Sequence, residues 1–416
     1  VLSVAEASEA ILAHIGVLPS ERVPLPTALG RVLATEIRSP VTLPAWDNSA
    51  MDGYAVRSVD IMGTNPDEPT ILRVIDTVAA GGFPRETVDV GEATRIMTGA
   101  PLPAGADTVV RIEDTDAGTE RVAIRSDRDA TRNVRPRGED IREGAVVLAA
   151  GQAIGPAQIG VLASVGAAYL DVVRQPQVAI IGSGDELVPV EQFDQVLAGR
   201  KIVSSNTYAL VAAVTDALGV PRDMGVALDT PESLRERLAA AADCDLILTT
   251  AGLSVGEHDY LRDVLRDMGA EMKFWRVRMR PGAPLGFGLL GKTPWLGLPG
   301  NPVSTMVTFE LFGRPAIRRM LGHVRLFRRA VDVVLEEPVT IHARLTHFLR
   351  VIVTTHTDGT LTARLTGPQG SGIVTSMSLA NALLVVPEDR TRVEPGEHLH
   401  ALPLTDDASL TTHFAL

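Results

Sequence analysis

Between residues 177 and 312 short apolar runs alternate with stretches of helical texture, and that alternation restricts this part of the chain to an α/β layer with a largely parallel sheet. The run 178–181 is a compact apolar strand, followed by a glycine-containing turn and then a helix over 205–218. Residues 224–227 read as a second strand. Thr230 and Pro231 then open a helix, the threonine hydroxyl accepting an orphan backbone N–H and the proline filling a position that needs no donor. A third strand at 245–249 precedes a helix at 259–268, and 294–312 repeats strand, turn and helix.

The flanks have another texture. In 3–15, Val4, Ala7, Ile11, Leu12 and Ile15 fall near one helical face. Pro19, Pro24, Pro26, Pro40 and Pro44 then punctuate an extended connector, with a short helical piece expected from Thr27 to Leu33. From 46 to 137 the apolar runs 71–78, 94–97, 108–113 and 122–124 are divided by Gly, Pro and Asp, which reads as a small β-rich unit. A run at 146–149 and a helix at 156–165 return to the architecture left near residue 45. Beyond 325 no helix is expected; 331–335, 343–354, 361–365, 382–386 and 399–402 read as strands of a barrel-like unit. With 416 residues, 45% of them apolar and only 4% aromatic, the chain needs several cores built mainly from Val, Leu, Ile and Ala.

Charge excludes some functions. A formal charge of -12 argues against general nucleic-acid binding, because phosphate backbones are held by neutralising Lys and Arg. It leaves room for a local basic pocket. Cys244 is the only cysteine, so neither an intrachain disulfide nor a thiolate zinc cluster is available; in the apolar run 244–248 it reads as a core thiol. No basic-then-apolar signal pattern opens the sequence, and no apolar run approaches the roughly 20 residues that span a bilayer. No membrane association is expected, and the expected location is the cytoplasm.

In α/β sheets ligands gather at the carboxyl ends of strands, where helix N-termini present free N–H groups. Three loops fall there: 182–186 with Ser183 and Gly184, 249–259 with Gly252, Ser254 and Gly256, and 298–304 with Pro299, Gly300, Asn301, Pro302 and Ser304. Small residues let backbone approach a phosphate closely. Each loop alone is a weak signal; three on one edge point to a phosphate-bearing ligand. Asp185, Glu186 and Asp259 could supply oxygen ligands to a hard cation, although Asp185 and Asp259 equally suit helix caps. The nine histidines are scattered and His258 reads as a surface or packing residue, so magnesium is favoured over zinc.

Three further segments carry unusual chemistry. Residues 47–54 set polar and turn-forming types beside Met51 and Tyr54, as either a structural turn or a site. Arg132, Arg135 and Arg137, near Asp140, form either a solvated basic face or a phosphate clamp. Arg276, Arg278 and Arg280 alternate, which on a strand puts all three on one face, either solvated or meeting an oxyanion at Arg280-Pro281-Gly282.

Six segments, in this order, resemble those of the MoeA-type molybdopterin molybdenumtransferases, relatives of the gephyrin E domain. They are Asp47-Asn48-Ser49-Ala50-Met51-Asp52-Gly53-Tyr54; Met97-Thr98-Gly99-Ala100-Pro101-Leu102-Pro103 with Gly105-Ala106-Asp107; Gly138-Glu139-Asp140; 182–187; 254–260; and 299–304. The resemblance covers nearly the full length. It implies a multidomain α+β and α/β fold: a discontinuous N-terminal region (1–45 and 138–172), an inserted β-rich domain (46–137), a three-layer MoaB/MogA-like α/β domain (173–324) and a small C-terminal β-barrel (325–416).

The resemblance also implies a homodimer with a cleft shared between subunits. Its substrates would be molybdate and adenylylated molybdopterin, with AMP released and Mg2+ assisting. Asp52, Thr98 and Asp140 would serve from the inserted domain, and Glu186 and Asp259 from the α/β domain, Asp185 joining them as a metal ligand. The three loops, with Arg135, Arg137 and Arg280, would hold the ligands. Contacts with the molybdopterin adenylyltransferase and with molybdoenzyme acceptors are expected. The chain departs from the family pattern at Ala251, where a glycine is usual, and at Ala283 in Arg280-Pro281-Gly282-Ala283-Pro284, where the family commonly has a second lysine. Two alternatives stand beside the transferase: a non-catalytic molybdopterin-binding scaffold and a molybdopterin adenylyltransferase.

Overall fold

The computed structural model describes residues 1–251 and 260–405. At its centre is a six-stranded sheet in the order Val220–Ala227, Gln177–Ser183, Leu246–Thr250, Thr293–Leu298, Gly286–Leu290, Glu271–Phe274. The first four strands run parallel, Gly286–Leu290 runs antiparallel to them, and Glu271–Phe274, antiparallel to Gly286–Leu290, resumes the first direction. Strand periodicity sends alternate side chains to opposite faces, and both faces are covered. Val178 and Ile180 pack with Leu210, Val214, Val303 and Val307, while Ala179 and Ile181 pack with Leu234, Leu238, Leu261 and Leu265. Burial on both sides is why these strands read as unbroken apolar runs. The result is three layers. Helix Val4–Leu12 joins the first face through Ala7 and Ile11, and its Ser3 caps it, the hydroxyl accepting from Glu6 N at 3.2 Å. Thr230 caps Pro231–Ala240 by accepting from Ser233 N at 3.2 Å. Cys244 is half-buried against the second core, and burial pushes its thiol pKa up.

The N-terminal region is extended and closes on itself. Strand Ser20–Pro24 pairs with Tyr169–Val173, and Ile37–Arg38 with Val146–Leu148. The helix expected over 27–33 does not form. A single 3-10 turn, Leu25–Thr27, is followed by Gly30 at φ 78° and by bridges from Val32 and Leu33 to Ala153 and Val172. Pro24 and Pro26 withhold two donors, and pairing with the returning chain satisfies the backbone better than a lone helical turn.

Residues 53–124 include a five-stranded sheet in the order Thr108–Arg111, Gly53–Val56, Glu92–Ile96, Thr70–Val78, Arg121–Ile124, over a core containing Tyr54, Leu72, Val110 and Ile124. Asn48–Ser49 pairs with Val134–Arg135 where the chain enters and leaves.

The C-terminal strands close into a barrel. Thr346–Thr355 pairs with Leu361–Leu365, which pairs with Val331–Leu335, then His398–Pro403, then Ala382–Val386, and back to Thr346–Thr355. Among the described residues one helix does occur after residue 325, contrary to the sequence expectation: Val374–Leu379, six residues whose Ser376 and Met377 are buried. It is too short for helical periodicity to show. Met279–Arg280 pairs in parallel with Thr346 and His347, seating the barrel against the α/β unit. Among the described residues no helix is long and apolar enough to cross a membrane.

Candidate functional site

Strands Gln177–Ser183, Leu246–Thr250 and Thr293–Leu298 are parallel neighbours, so the loops that follow them share one edge. A cavity of about 460 Å³ opens there, lined by Ser183, Glu186, Thr250, Ala251, Pro284, Pro299, Gly300, Asn301 and Pro302 among others. Ser204, Ser205 and Asn206 also line it, at the start of helix Ser205–Asp216. The helix Pro302–Thr308 begins at the same wall and runs on through a π turn and a further helix to Met320. The start of helix Ser205–Asp216 brings first-turn backbone N–H groups to this cavity, which favours an anion, whereas at the other helix start Pro302 has no N–H and Val303 N donates to Ser371 O at 3.0 Å. Asn206 Nδ2 donates to Gly300 O at 2.7 Å and Thr305 Oγ1 to Pro299 O at 2.5 Å, fixing the third loop. Asn301 sits at the helix N-cap without a side-chain capping bond, leaving its amide for a ligand.

The first loop is held by Asp229. Ser183 Oγ donates to Asp229 Oδ1 at 3.0 Å, and Asp229 N donates to Asp185 Oδ1 at 3.1 Å. Asp185 is therefore engaged between loops and caps no helix; it is not in the cavity wall, whereas Glu186 is. Gly184 sits at φ 148°, a conformation L side chains rarely adopt, and a Cβ there would also press on the Glu186 carboxylate, 2.7 Å from Oε2. The residues able to take part in cation binding carry oxygen, and among the described residues no group of three His, Cys, Asp or Glu is assembled to hold a metal alone. Gly252, Ser254, Gly256 and Asp259 lie outside the described residues.

Ala251, which replaces the expected glycine, adopts φ 73°. Left-handed backbone costs an L side chain roughly 1–2 kcal/mol, partly offset by glycine's greater freedom when unfolded. Ala251→Gly is expected to stabilise the α/β unit by up to about 1 kcal/mol in denaturant unfolding; an unchanged or lower midpoint would show that the site carries no strain.

A second cavity, of about 630 Å³, adjoins the first and shares Pro284 and Asn301 with it. It lies between the α/β unit and the barrel, with Arg280, Gly282, Ala283 and Ser304 on one side and His342, His347, Arg350 and Gln369 on the other. Arg350 is fully buried. Its Nε donates to Ser376 Oγ at 3.0 Å and one Nη2–H to Gly370 O at 2.9 Å, while Nη1 has no partner. No carboxylate pairs with it among the described residues, and burial pulls its pKa down. A buried cation left without a counter-charge is costly, and an anion entering this cavity would remove that cost.

The three alternating arginines do not share a strand face, contrary to expectation. The strand Glu271–Phe274 ends before them, Val277 bridges to Leu2, and only Met279–Arg280 resumes pairing. Arg278 turns to Glu388, with Nε–carboxylate distances of 3.3 Å, and to Val1 O, leaving only Arg280 of the three in the second cavity.

In the inserted unit, Gly53 and Tyr54 of the 47–54 segment are structural. A Cβ on Gly53 would meet Val110 O at 1.9 Å, and Tyr54 is buried with its hydroxyl donating to Gly118 O at 2.9 Å. Asp52 differs: it is exposed, and its Oδ1 accepts from both Thr98 N and Thr98 Oγ1 at 2.7 Å. The Thr98 backbone N–H, then its hydroxyl, holds the Asp52 carboxyl below its ordinary pKa. Arg135, Arg137 and Asp140 are exposed, and Arg137 N donates to Asp47 Oδ1 at 2.6 Å. None of these five candidates lines either cavity of the single chain.

Sequence reasoning missed Arg350, His347 and the start of helix Ser205–Asp216. Arg350 left a signal: in Phe348-Leu349-Arg350-Val351-Ile352-Val353 this lone cation shares its strand face with Phe348 and Ile352, which marks that face as apolar rather than plainly solvated.

Three family models match in chain order: the MoeA N-terminal region (domain I and II) over residues 2–166, a probable molybdopterin binding domain over 179–319, and the MoeA C-terminal region (domain IV) over 332–404. The chain is 38% identical over 391 residues to Molybdopterin molybdenumtransferase 2 of Mycobacterium tuberculosis, covering 92% of this chain and 95% of that protein. It is 36% identical to the Molybdopterin molybdenumtransferase of a Nostoc species, covering 92% of this chain and 89% of the relative. The crystal structure of the molybdopterin biosynthesis moeA protein from Pyrococcus horikoshii OT3 superposes with a TM-score of 0.82 at 28% identity, covering 97% of this chain and all of that one. Matched from end to end by these models, relatives and fold, the chain belongs to the MoeA-type molybdopterin molybdenumtransferase family of molybdenum cofactor biosynthesis.

Proposed function

We propose that this protein inserts molybdenum into molybdopterin: it takes adenylylated molybdopterin and molybdate, hydrolyses the adenylate, leaves molybdenum on the dithiolene sulfurs and releases AMP. The observation that supports this reading most is that two cavities of unlike chemistry adjoin across Pro284 and Asn301. The smaller, with glycine, serine and helix-start N–H groups, suits a phosphate. The larger, with Arg280 and Arg350 in its wall, suits an oxyanion. Holding both reactants side by side converts an encounter in solution into a step within one complex.

The oxygen donors at the smaller cavity suit magnesium, which takes one or two carboxylates and shares its shell with substrate phosphates. Glu186 is the donor in the wall, with Asp259 and Asp185 as further candidates. When bound, the ion neutralises phosphate charge and polarises the phosphoanhydride toward water. Asn301 orients ligands in both cavities, and the loop Pro299 to Ser304 shapes the wall between them. Asp52 and Thr98, with Asp140, Arg135 and Arg137, complete the cleft from a second copy of the chain, so the working form is a homodimer. Its place is the cytoplasm, between the adenylyltransferase that supplies the substrate and the molybdoenzymes that receive the product.

Purified protein given adenylylated molybdopterin is expected to release AMP only when molybdate and magnesium are both present. Tight pterin binding with no AMP at any molybdate concentration would instead make it a scaffold. Consumption of ATP with unmodified molybdopterin would make it an adenylyltransferase.

A further inference from the structure

We propose that His347 is a proton-linked oxyanion-binding residue, so that each anion entering the larger cavity brings one proton onto this imidazole. The inference rests on the assignment of that cavity to the oxyanion. His347 lies in its wall, 5% exposed, directly across the parallel ladder from Arg280 and three residues before Arg350, which lines the same cavity although strand alternation sets the two on opposite faces. Its Nδ1 is 2.7 Å from Leu345 O. A carbonyl oxygen only accepts, so Nδ1 carries the hydrogen and the neutral ring has a bare lone pair at Nε2. That lone pair cannot bond an oxyanion oxygen, which also only accepts. Once Nε2 is protonated it becomes a donor while the Nδ1 bond is kept, and no rearrangement of the backbone is needed.

The surroundings set the direction of the coupling. Burial first, and Arg280 after it, push the His347 pKa below its ordinary value, against the opposing Leu345 bond. The loop before the strand adds His342, in the same wall, and Arg344, which is not in the wall. Opposite, Ala382–Val386 carries no titratable side chain, and Glu388 beyond it is engaged by Arg278. The helix Val374–Leu379 has none either. Around His347 the nearby charge is therefore cationic, and an anion reverses that balance. Bound-state pKa rises above free-state pKa, and between the two values binding takes up a proton. By linkage, oxyanion affinity strengthens as pH falls through this window, by at most about tenfold per pH unit for one proton. Ala283 makes the device useful, because a fixed lysine charge there would supply the same positive charge at every pH.

Calorimetric titration of sodium molybdate into the intact protein tests this, in buffers of different ionisation enthalpy from mildly acidic to mildly basic pH. The wild type should show heat that depends on the buffer, reporting uptake approaching one proton per anion, and affinity that weakens as pH rises. His347→Gln should bind more weakly, with the protein-dependent proton uptake gone; His356→Gln, at a histidine outside both cavities, should behave as wild type. Buffer-independent heat in the wild type overturns the proposal without any variant, as does uptake that vanishes in His342→Gln but persists in His347→Gln. If the wild type binds no molybdate at any pH, or binds it undiminished after Arg350→Met, the assignment of the cavity itself fails.

Discussion

Replacing Arg350 with methionine is expected to weaken molybdate binding by roughly 30-fold to 1000-fold, the range that loss of a buried, charge-assisted contact of about 2–4 kcal/mol produces. The same substitution should leave stability nearly unchanged or slightly raised. An arginine kept for structure behaves in the opposite way, because removing one member of a buried ion pair strands its partner at a cost of about 3–5 kcal/mol. Arg350 has no carboxylate to strand. What it loses are bonds to Ser376 Oγ and Gly370 O and a long one of 3.5 Å to Pro368 O, and Ser376 Oγ keeps its own bond to Ile373 O at 2.7 Å. Methionine fills the volume of the aliphatic stem and removes a desolvated charge with an unpaired nitrogen. Equilibrium dialysis with molybdate, paired with thermal unfolding, separates the alternatives. A stability loss of several kcal/mol with unchanged anion affinity would make Arg350 a packing residue.

Glu186→Gln should lower the rate of AMP release by about two orders of magnitude, the usual scale for losing one charge-stabilising group in an active site. Glutamine preserves the shape over Gly184, where the carboxylate lies close enough that a Cβ would come within 2.7 Å of Oε2. It removes the negative charge that a divalent ion needs. Pterin binding should persist, since the N–H groups of the three loops are untouched, and the magnesium requirement should shift to higher concentration. Single-turnover AMP release titrated with magnesium measures both quantities. A variant with the wild-type rate and magnesium dependence would take Glu186 out of the chemistry.

The three-layer unit was legible because its physics is repetitive. Val178 to Ile181 is apolar on both faces only because helices lie on both sides, and Thr230-Pro231 announces a helix start through its own hydrogen-bond needs. What sequence could not convey was set by distant chain. Residues 27–33 have helical composition, yet Leu33 bridges to Val172, more than a hundred positions away. Arg276, Arg278 and Arg280 have strand spacing, but Arg278 N donates to Leu2 O at 2.8 Å and Val277 N to Ala283 O at 2.9 Å, which bends the segment. The candidate site divided along the same line. Ser183, Glu186, Pro299 and Asn301 come from loops whose common edge follows from strand order alone. Arg350 and His347 reach the site only because the barrel seats against Met279–Arg280, a contact between elements with no local signature. Ala251 gave the reverse lesson: the departure from glycine was visible in the sequence, and its φ of 73° gives it a physical cost.

The most direct test of the adjoining-cavity account is the anomalous scattering map of crystals soaked with tungstate, a heavy stand-in for molybdate. The account predicts a single strong peak in the larger cavity, within hydrogen-bond reach of the Arg280 and Arg350 guanidinium groups and beside Asn301 at the boundary with the phosphate cavity. A strong peak elsewhere on the molecule, with this cavity empty in a crystal form that leaves it open, would contradict it.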